Sequence, residues 1–191
     1  GCYQRIFLEV NRYLESFLMK STMKQELEKL IQLSGYYGNN KDFVIASGGN
    51  ASFKTKDYLW ITASGSFMGN LEQSDLLKLS RAKLTEISSK SYSTEPQKRE
   101  SEVKDDLVAS ITDSAAGQRP SVETSMHNLI DYTYIIHTHP TLINGLLCSK
   151  QAKARTNELF PEALYIEYTD PGYTLFKHVE QGILTYRNQY N

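Results

Sequence analysis

Ile135-Ile136-His137-Thr138-His139-Pro140 is the stretch around which the 191-residue chain can be ordered. Aromatic and β-branched residues from Tyr134 to His139 predict a short strand, and Pro140 stops it. On a strand, His137 and His139 stand at i and i+2, so both side chains leave the same face, with their Cα atoms about 7 Å apart. Helical patterns flank this strand. Ser121 reads as the N-cap of a helix over Val122–Ile130, and Leu142–Lys150 reads as the next helix. Ala163–Tyr168 predicts another strand, and a last helix runs from Tyr173 to about Tyr186. Strands that alternate with helices favour an α/β layer architecture.

The N-terminal half fits the same plan. Lys24 to about Leu33 carries Leu27, Leu30 and Ile31 at helical spacing, with Ser34-Gly35 as its stop. Ala51–Lys54 and Tyr58–Ala63 are β-like runs separated by the polar Thr55-Lys56-Asp57, which reads as a hairpin. Ser88–Pro96 is polar and aperiodic, hence an exposed loop, and Gln97–Ile111 predicts a charged helix with Val103, Leu107, Val108 and Ile111 on its buried side. Before all of these, Ile6, Phe7, Val10, Tyr13, Leu14, Phe17 and Leu18 form an amphipathic helical pattern within residues 2–19. The organisation read here is an N-terminal helical extension over residues 1–22, with Met23 an alternative start, and one domain over 23–191.

Composition narrows the function. Hydrophobic residues make up 40% and charged residues 23%, with 21 Lys+Arg against 22 Asp+Glu, which is the soluble globular class. A net charge of -1 provides no global field for nucleic acid or an anionic membrane, so neither partner is expected. Cys2 and Cys148 are far apart, which excludes a disulfide framework and a four-thiolate zinc site and points to a reducing, cytoplasmic setting. Glu9, Arg12 and Glu15 interrupt the N-terminal apolar stretch, which fits neither a signal peptide nor a membrane span.

Imidazoles that leave one strand face together can share a cation, and imidazole suits zinc and other late first-row ions. A hydrogen-bonded pair of core histidines is the competing reading. Glu123 and His127 stand four apart on one helix face just before this strand. Glu123 could be a first-turn carboxylate that complements the helix dipole, or a general base that faces the cation. His127 reads as a packing or supporting residue. The turns Ser47-Gly48-Gly49-Asn50 and Ser64-Gly65-Ser66 supply positive-φ positions. With Asn50, Thr62 and Ser64 beside them, their N–H groups can also cradle an anion.

In combination these stretches resemble the class II aldolase/adducin family. Gly48-Gly49-Asn50-Ala51-Ser52 matches its GGNxS turn, Ile61-Thr62-Ala63-Ser64-Gly65 its ITxSG turn, and Asp75 the acidic position that follows. Pro120-Ser121-x-Glu123-x-x-x-His127 matches its helix start, and His137-x-His139-Pro140 its metal strand. The wording of PSVET, HTHP and NGLLCS is most similar to the rhamnulose-1-phosphate aldolase branch, including forms fused to a dehydrogenase, a unit not present in these residues.

The resemblance implies a three-layer α/β/α fold around a largely antiparallel or mixed sheet. It also implies a divalent metal, most readily Zn2+, and a homo-oligomer, usually a tetramer, with active sites near subunit interfaces. The implied reaction is cleavage of a ketose 1-phosphate, of the rhamnulose or fuculose type, to dihydroxyacetone phosphate and an aldehyde. His137 and His139 are then metal ligands, and Asn50, Ser64, Gly65 and Ser121 the phosphate cradle. Glu123 is the acid/base, with a pKa required near the working pH, and in one reading a third ligand. A ribulose-phosphate 4-epimerase activity or a non-catalytic adducin-like interaction domain are the alternatives on the same scaffold. Two features depart from the family pattern. Val122 replaces a serine that contacts phosphate in some members. The family's third metal histidine lies in a strand beyond the last helix, and His178 is a poor substitute, so the chain is expected to lack its C-terminal end.

Overall fold

The computed structural model describes residues 22–113 and 117–190. The expected helix over residues 2–19 lies outside them. The first described helix, α1, spans residues 22–38, and four strands follow: β1 (Asn50–Lys54), β2 (Tyr58–Thr62), β3 (Leu76–Ser80) and β4 (Tyr134–His137). The remaining helices are α2 (Arg81–Ser89), α3 (Pro96–Ala109), α4 (Thr124–Leu129), α5 (Thr141–Leu147), α6 (Ala152–Leu159) and α7 (Tyr173–Tyr190). The strands form one antiparallel sheet in the order β3-β2-β1-β4.

The hairpin is local chemistry. Thr55 receives the Tyr58 N–H on its hydroxyl at 3.2 Å, and its own N–H donates to the Tyr58 carbonyl at 2.9 Å. Registers Ser52↔Ile61 and Phe53↔Trp60 then sort side chains onto two faces. Leu59, Ile61, Leu77 and Leu79 pack on one face with Leu84 and Ile87 of α2 and Val103 and Leu107 of α3. Ala51, Phe53 and Trp60 pack on the other with Leu30 of α1, Val44 and Met68. Helices therefore cover both faces of the sheet, the expected three-layer arrangement. Each fully buried Leu or Ile contributes roughly 1.5–3 kcal/mol to holding these layers.

Five expectations change. The helix α1 continues past Ser34-Gly35 to residue 38. Its glycines permit close approach: a Cβ on Gly38 would overlap the backbone of Met68 and Gly69, and the Ser34 hydroxyl donates to the Met68 carbonyl at 3.0 Å. Ala163–Tyr168 is not a strand, because no described strand borders it; Leu164 and Ile166 pack against Gly182 of α7 instead. The strand expected over Tyr134–His139 ends at His137, and His139 lies beyond it, its N–H donating to the Phe43 carbonyl at 2.9 Å. Helix α4 starts at Thr124 rather than Val122, with Glu123 as its N-cap residue in place of Ser121. Val108, expected on the buried side of α3, is 43% exposed. Sequence reading also left β3, α2 and α6 unassigned.

Candidate active site

The site forms where the Asn50 end of β1, the His137 end of β4 and the start of α4 meet. Asn50 and His137 are directly paired across the β1–β4 ladder. Gly49, just before Asn50, has φ +77°, and a Cβ there would strike the His137 carbonyl and stand 2.7 Å from the Met68 sulfur. Only glycine lets the turn pass this close beneath the histidine strand. Gly48 lies beside the His139 ring, which a Cβ there would meet at an ordinary contact distance of 3.6 Å.

Glu123 turns away from capping its own helix. Its Oε2 accepts from Asn50 Nδ2 at 2.5 Å and lies 2.8 Å from His137 Nδ1. A carboxylate can only accept, so it fixes the proton on His137 Nδ1 and leaves a lone pair on Nε2. That Nε2 faces His139 Nε2 at 3.1 Å. Two imidazole nitrogens on one zinc stand about 3.3 Å apart, taking Zn–N near 2.05 Å and a tetrahedral angle. The spacing and tautomer thus fit two ligands to one cation. Among the described residues, no group of three or more His, Cys, Asp or Glu side chains is arranged to hold a metal ion. Glu123 meets His137 through the other ring nitrogen from the one that faces His139. His178 is elsewhere, exposed and bonded to the Thr169 hydroxyl at 2.7 Å.

Burial raises the pKa of Glu123, but the hydrogen bond and charge of His137, with the Asn50 amide, outweigh it and hold the carboxyl below its ordinary value. The group is therefore ionised at neutral pH, the base form, instead of poised near it. Burial and the neighbouring His137 charge lower His139, which favours the neutral imidazole a ligand needs.

Asn50 Oδ1 is buried and without a hydrogen-bond partner, while Nδ2 is engaged by Glu123 and lies 3.3 Å from His137 Nδ1. Ser64 and Gly65 form an exposed turn, with Gly65 at φ +89°. The Ala63↔Pro120 bridge and the Ser64 N–H to Arg119 carbonyl bond at 2.9 Å hold that turn against the segment that leads to Ser121. Ser121 Oγ accepts from the Glu123 N–H at 3.2 Å. The structure thus brings Glu123, His137, His139 and Asn50 into one cluster. It sets Ser64, Gly65 and Ser121 along the adjoining rim, and Asp75 accepts the Glu72 N–H in a local turn.

Sequence reasoning missed a polar ladder on β1. Ser52 Oγ lies 2.6 Å from His127 Nδ1, and the Lys54 ammonium donates to the carbonyls of His127, at 2.5 Å, and Ile130. His127 is 2% exposed; burial first, then the charges of His137 and Lys54, push its pKa to about 3, so it is neutral. Burial, then the Arg81 charge, lowers Lys54 to about 8. The available signal was Asn50, Ser52 and Lys54 alternating with Ala51 and Phe53.

A model of the class II aldolase and adducin N-terminal domain matches residues 28–185. The chain belongs to the class II aldolase/adducin family. Members of this family commonly use a divalent metal, bind sugar phosphates and assemble as oligomers, and the family includes epimerases and non-catalytic proteins. Among curated proteins, an uncharacterized oxidoreductase, YuxG of Bacillus subtilis strain 168, is 28% identical over 167 residues. That match takes in 82% of this chain and only 23% of YuxG. The N-terminal class II aldolase domain of a conserved protein from Thermoplasma acidophilum superposes with a TM-score of 0.68 at 22% identity, over 80% of this chain and 72% of that one. L-fuculose-1-phosphate aldolase from Thermus thermophilus gives 0.42 at 16% identity, over 87% and 97%. No helix among the described residues is long and apolar enough to cross a membrane.

Proposed function

We propose that this chain carries a metal-dependent aldolase site that cleaves a ketose 1-phosphate, of the rhamnulose- or fuculose-1-phosphate type, to dihydroxyacetone phosphate and an aldehyde in the cytoplasm. The observation that carries this reading is the His137–His139 pair, Nε2 to Nε2 at 3.1 Å, with an ionised Glu123 on the outer nitrogen of His137. His137 and His139 would hold the divalent ion, zinc by preference, with Glu123 orienting His137 from its other ring nitrogen, and the ion's further positions would be filled by water, substrate or donors outside the described residues. A bound divalent ion supplies charge stabilisation for an enediolate oxygen. Glu123 carries the proton: as a carboxylate it takes one during carbon–carbon cleavage and returns one to the enediolate carbon.

Ser64, Gly65, Ser121 and Asn50 would bind the phosphate. Hydroxyls and turn N–H groups are suited to an anion without a lysine or arginine. Asn50 gives its Nδ2 to Glu123, so phosphate and carboxylate compete for one amide. The exposed position of His139 agrees with a homo-oligomer, a tetramer in this reading, whose interfaces close over the sites.

The test combines metal content with product analysis. Purified chain should take up close to one zinc per chain and release dihydroxyacetone phosphate from ketose 1-phosphates in a coupled assay. His137→Ala should abolish zinc uptake with little change in fold. An isomeric pentose phosphate in place of dihydroxyacetone phosphate would favour the epimerase reading. Absence of both metal and turnover would refute the proposal in favour of an interaction domain.

A further inference from the structure

Helix α4 has six residues, too few to hold its own geometry in water, so its position must be imposed from outside. It packs against α2, whose Arg81 donates to Asn128 Oδ1 at 2.9 Å, and against α7, and one face of β1 grips it along its length. Asn50, Ser52 and Lys54 lie at i, i+2 and i+4, spanning about 13 Å of strand, against about 10 Å of helix from Glu123 to Ile130. Each level makes one grip. Asn50 holds the Glu123 carboxylate at 2.5 Å, Ser52 holds the His127 ring at 2.6 Å, and Lys54 holds the carbonyls of His127 and Ile130 at the far end.

Lys54 is the unusual member. It is 7% exposed, and among the described residues no carboxylate lies within ion-pair distance of it. A buried ammonium is costly, and an apolar side chain would cover the same strand face without that cost. What the ammonium supplies is a donor for the His127 carbonyl and a second donor for the Ile130 carbonyl, which also accepts the Tyr132 N–H at 3.0 Å, with its charge on the negative end of the backbone dipoles.

We propose that Lys54 is a positioning residue: by clamping the C-terminal end of α4 it fixes, at the other end, the orientation in which Glu123 meets His137. This rests on the reading of Glu123 and His137 as site residues given above. The remote ligand of the clamp is the helix itself, so its failure is transmitted as rotation or fraying of a single short element.

The experiment compares the full chain with Lys54→Met, which keeps the stem and removes the donors, and Lys54→Arg, which restores donors. Imidazole 15N–1H spectra of the metal-free proteins report the His137 Nδ1–H that Glu123 holds, and zinc titration reports the pair. Lys54→Met should speed solvent exchange of that Nδ1–H by about tenfold and weaken zinc binding by about tenfold, as loss of a supporting partner at a metal site does. Lys54→Arg should recover both. Lowered thermal stability with an unchanged Nδ1–H and unchanged zinc affinity would overturn the proposal. If Lys54→Met does not fold, Ser52→Ala breaks the middle grip. A faster-exchanging Nδ1–H in that variant supports the ladder, and an unchanged one overturns it. None of these readouts needs turnover, so a failure of the aldolase reading, seen as no dihydroxyacetone phosphate from the unaltered chain, is recorded separately.

Discussion

The deepest consequence of the site for stability lies in His127. Its ring is 2% exposed, and burial above all, with the Lys54 ammonium nearby, lowers its pKa from 6.5 to about 3. In the unfolded chain the same ring takes a proton near the ordinary histidine value. Between these two pKa values the unfolded state therefore binds one proton more than the folded state, and stability falls as the pH falls. The slope is about 1.4 kcal/mol per pH unit, so acidification from about pH 7 to about pH 5 removes roughly 2 kcal/mol through this one residue. For a domain with a total of about 5–15 kcal/mol that is a large share. The assay is urea unfolding followed by circular dichroism at several pH values, on the unaltered chain and on His127→Asn, whose amide reaches the position of Nδ1 beside Ser52. The variant is less stable at every pH through lost packing, but its stability should depend on pH less steeply, by about 2 kcal/mol over that interval. Parallel curves for the two proteins would refute the argument that His127 is held neutral by burial.

Three further perturbations test separate parts of the structure. Glu123→Gln preserves size and removes the base, so turnover of a ketose 1-phosphate should fall by about 10²–10⁴-fold, with the circular dichroism spectrum unchanged. Gly49→Ala places a methyl group against the His137 carbonyl and the Met68 sulfur at a backbone φ of +77°. It should cost more than about 1 kcal/mol in urea unfolding and weaken zinc uptake, because the histidine strand must shift. Phe176, 1% exposed on α7, should cost about 3–5 kcal/mol when replaced by alanine, read as a lower midpoint at constant m-value.

The parts of the fold legible in the sequence are those whose pattern is short-range. The β1–β2 hairpin is declared by two β-like runs on either side of the polar Thr55-Lys56-Asp57, and its strands match to within a residue. Glycines mislead where tertiary contact decides their use. Gly35 resembles a helix stop, yet α1 runs on because Gly38 is the surface on which the Met68–Gly69 backbone rests. Ala163–Tyr168 shows the converse case. Its apolar alternation is real, but a strand needs a neighbour for its N–H and carbonyl groups, and here Leu164 and Ile166 spend their apolar surface on α7.

The candidate site divides along the same line. His137 and His139 are two residues apart, so strand geometry alone brings them to one face, and their Nε2 atoms meet at 3.1 Å although the strand itself ends at His137. The rest depends on contacts across 73 residues or more: Asn50 to Glu123, and Lys54 to His127 and Ile130. No periodicity reports such pairs, and local readings of their members go astray. Glu123 looks like a first-turn helix carboxylate and Ser121 like an N-cap. The structure exchanges these roles. Glu123 is the N-cap residue but gives its carboxylate to His137, and Ser121 supports the Glu123 N–H. With its helix freed from self-capping at one end and clamped by Lys54 at the other, the carboxylate is available to the histidines because the helix does not need it.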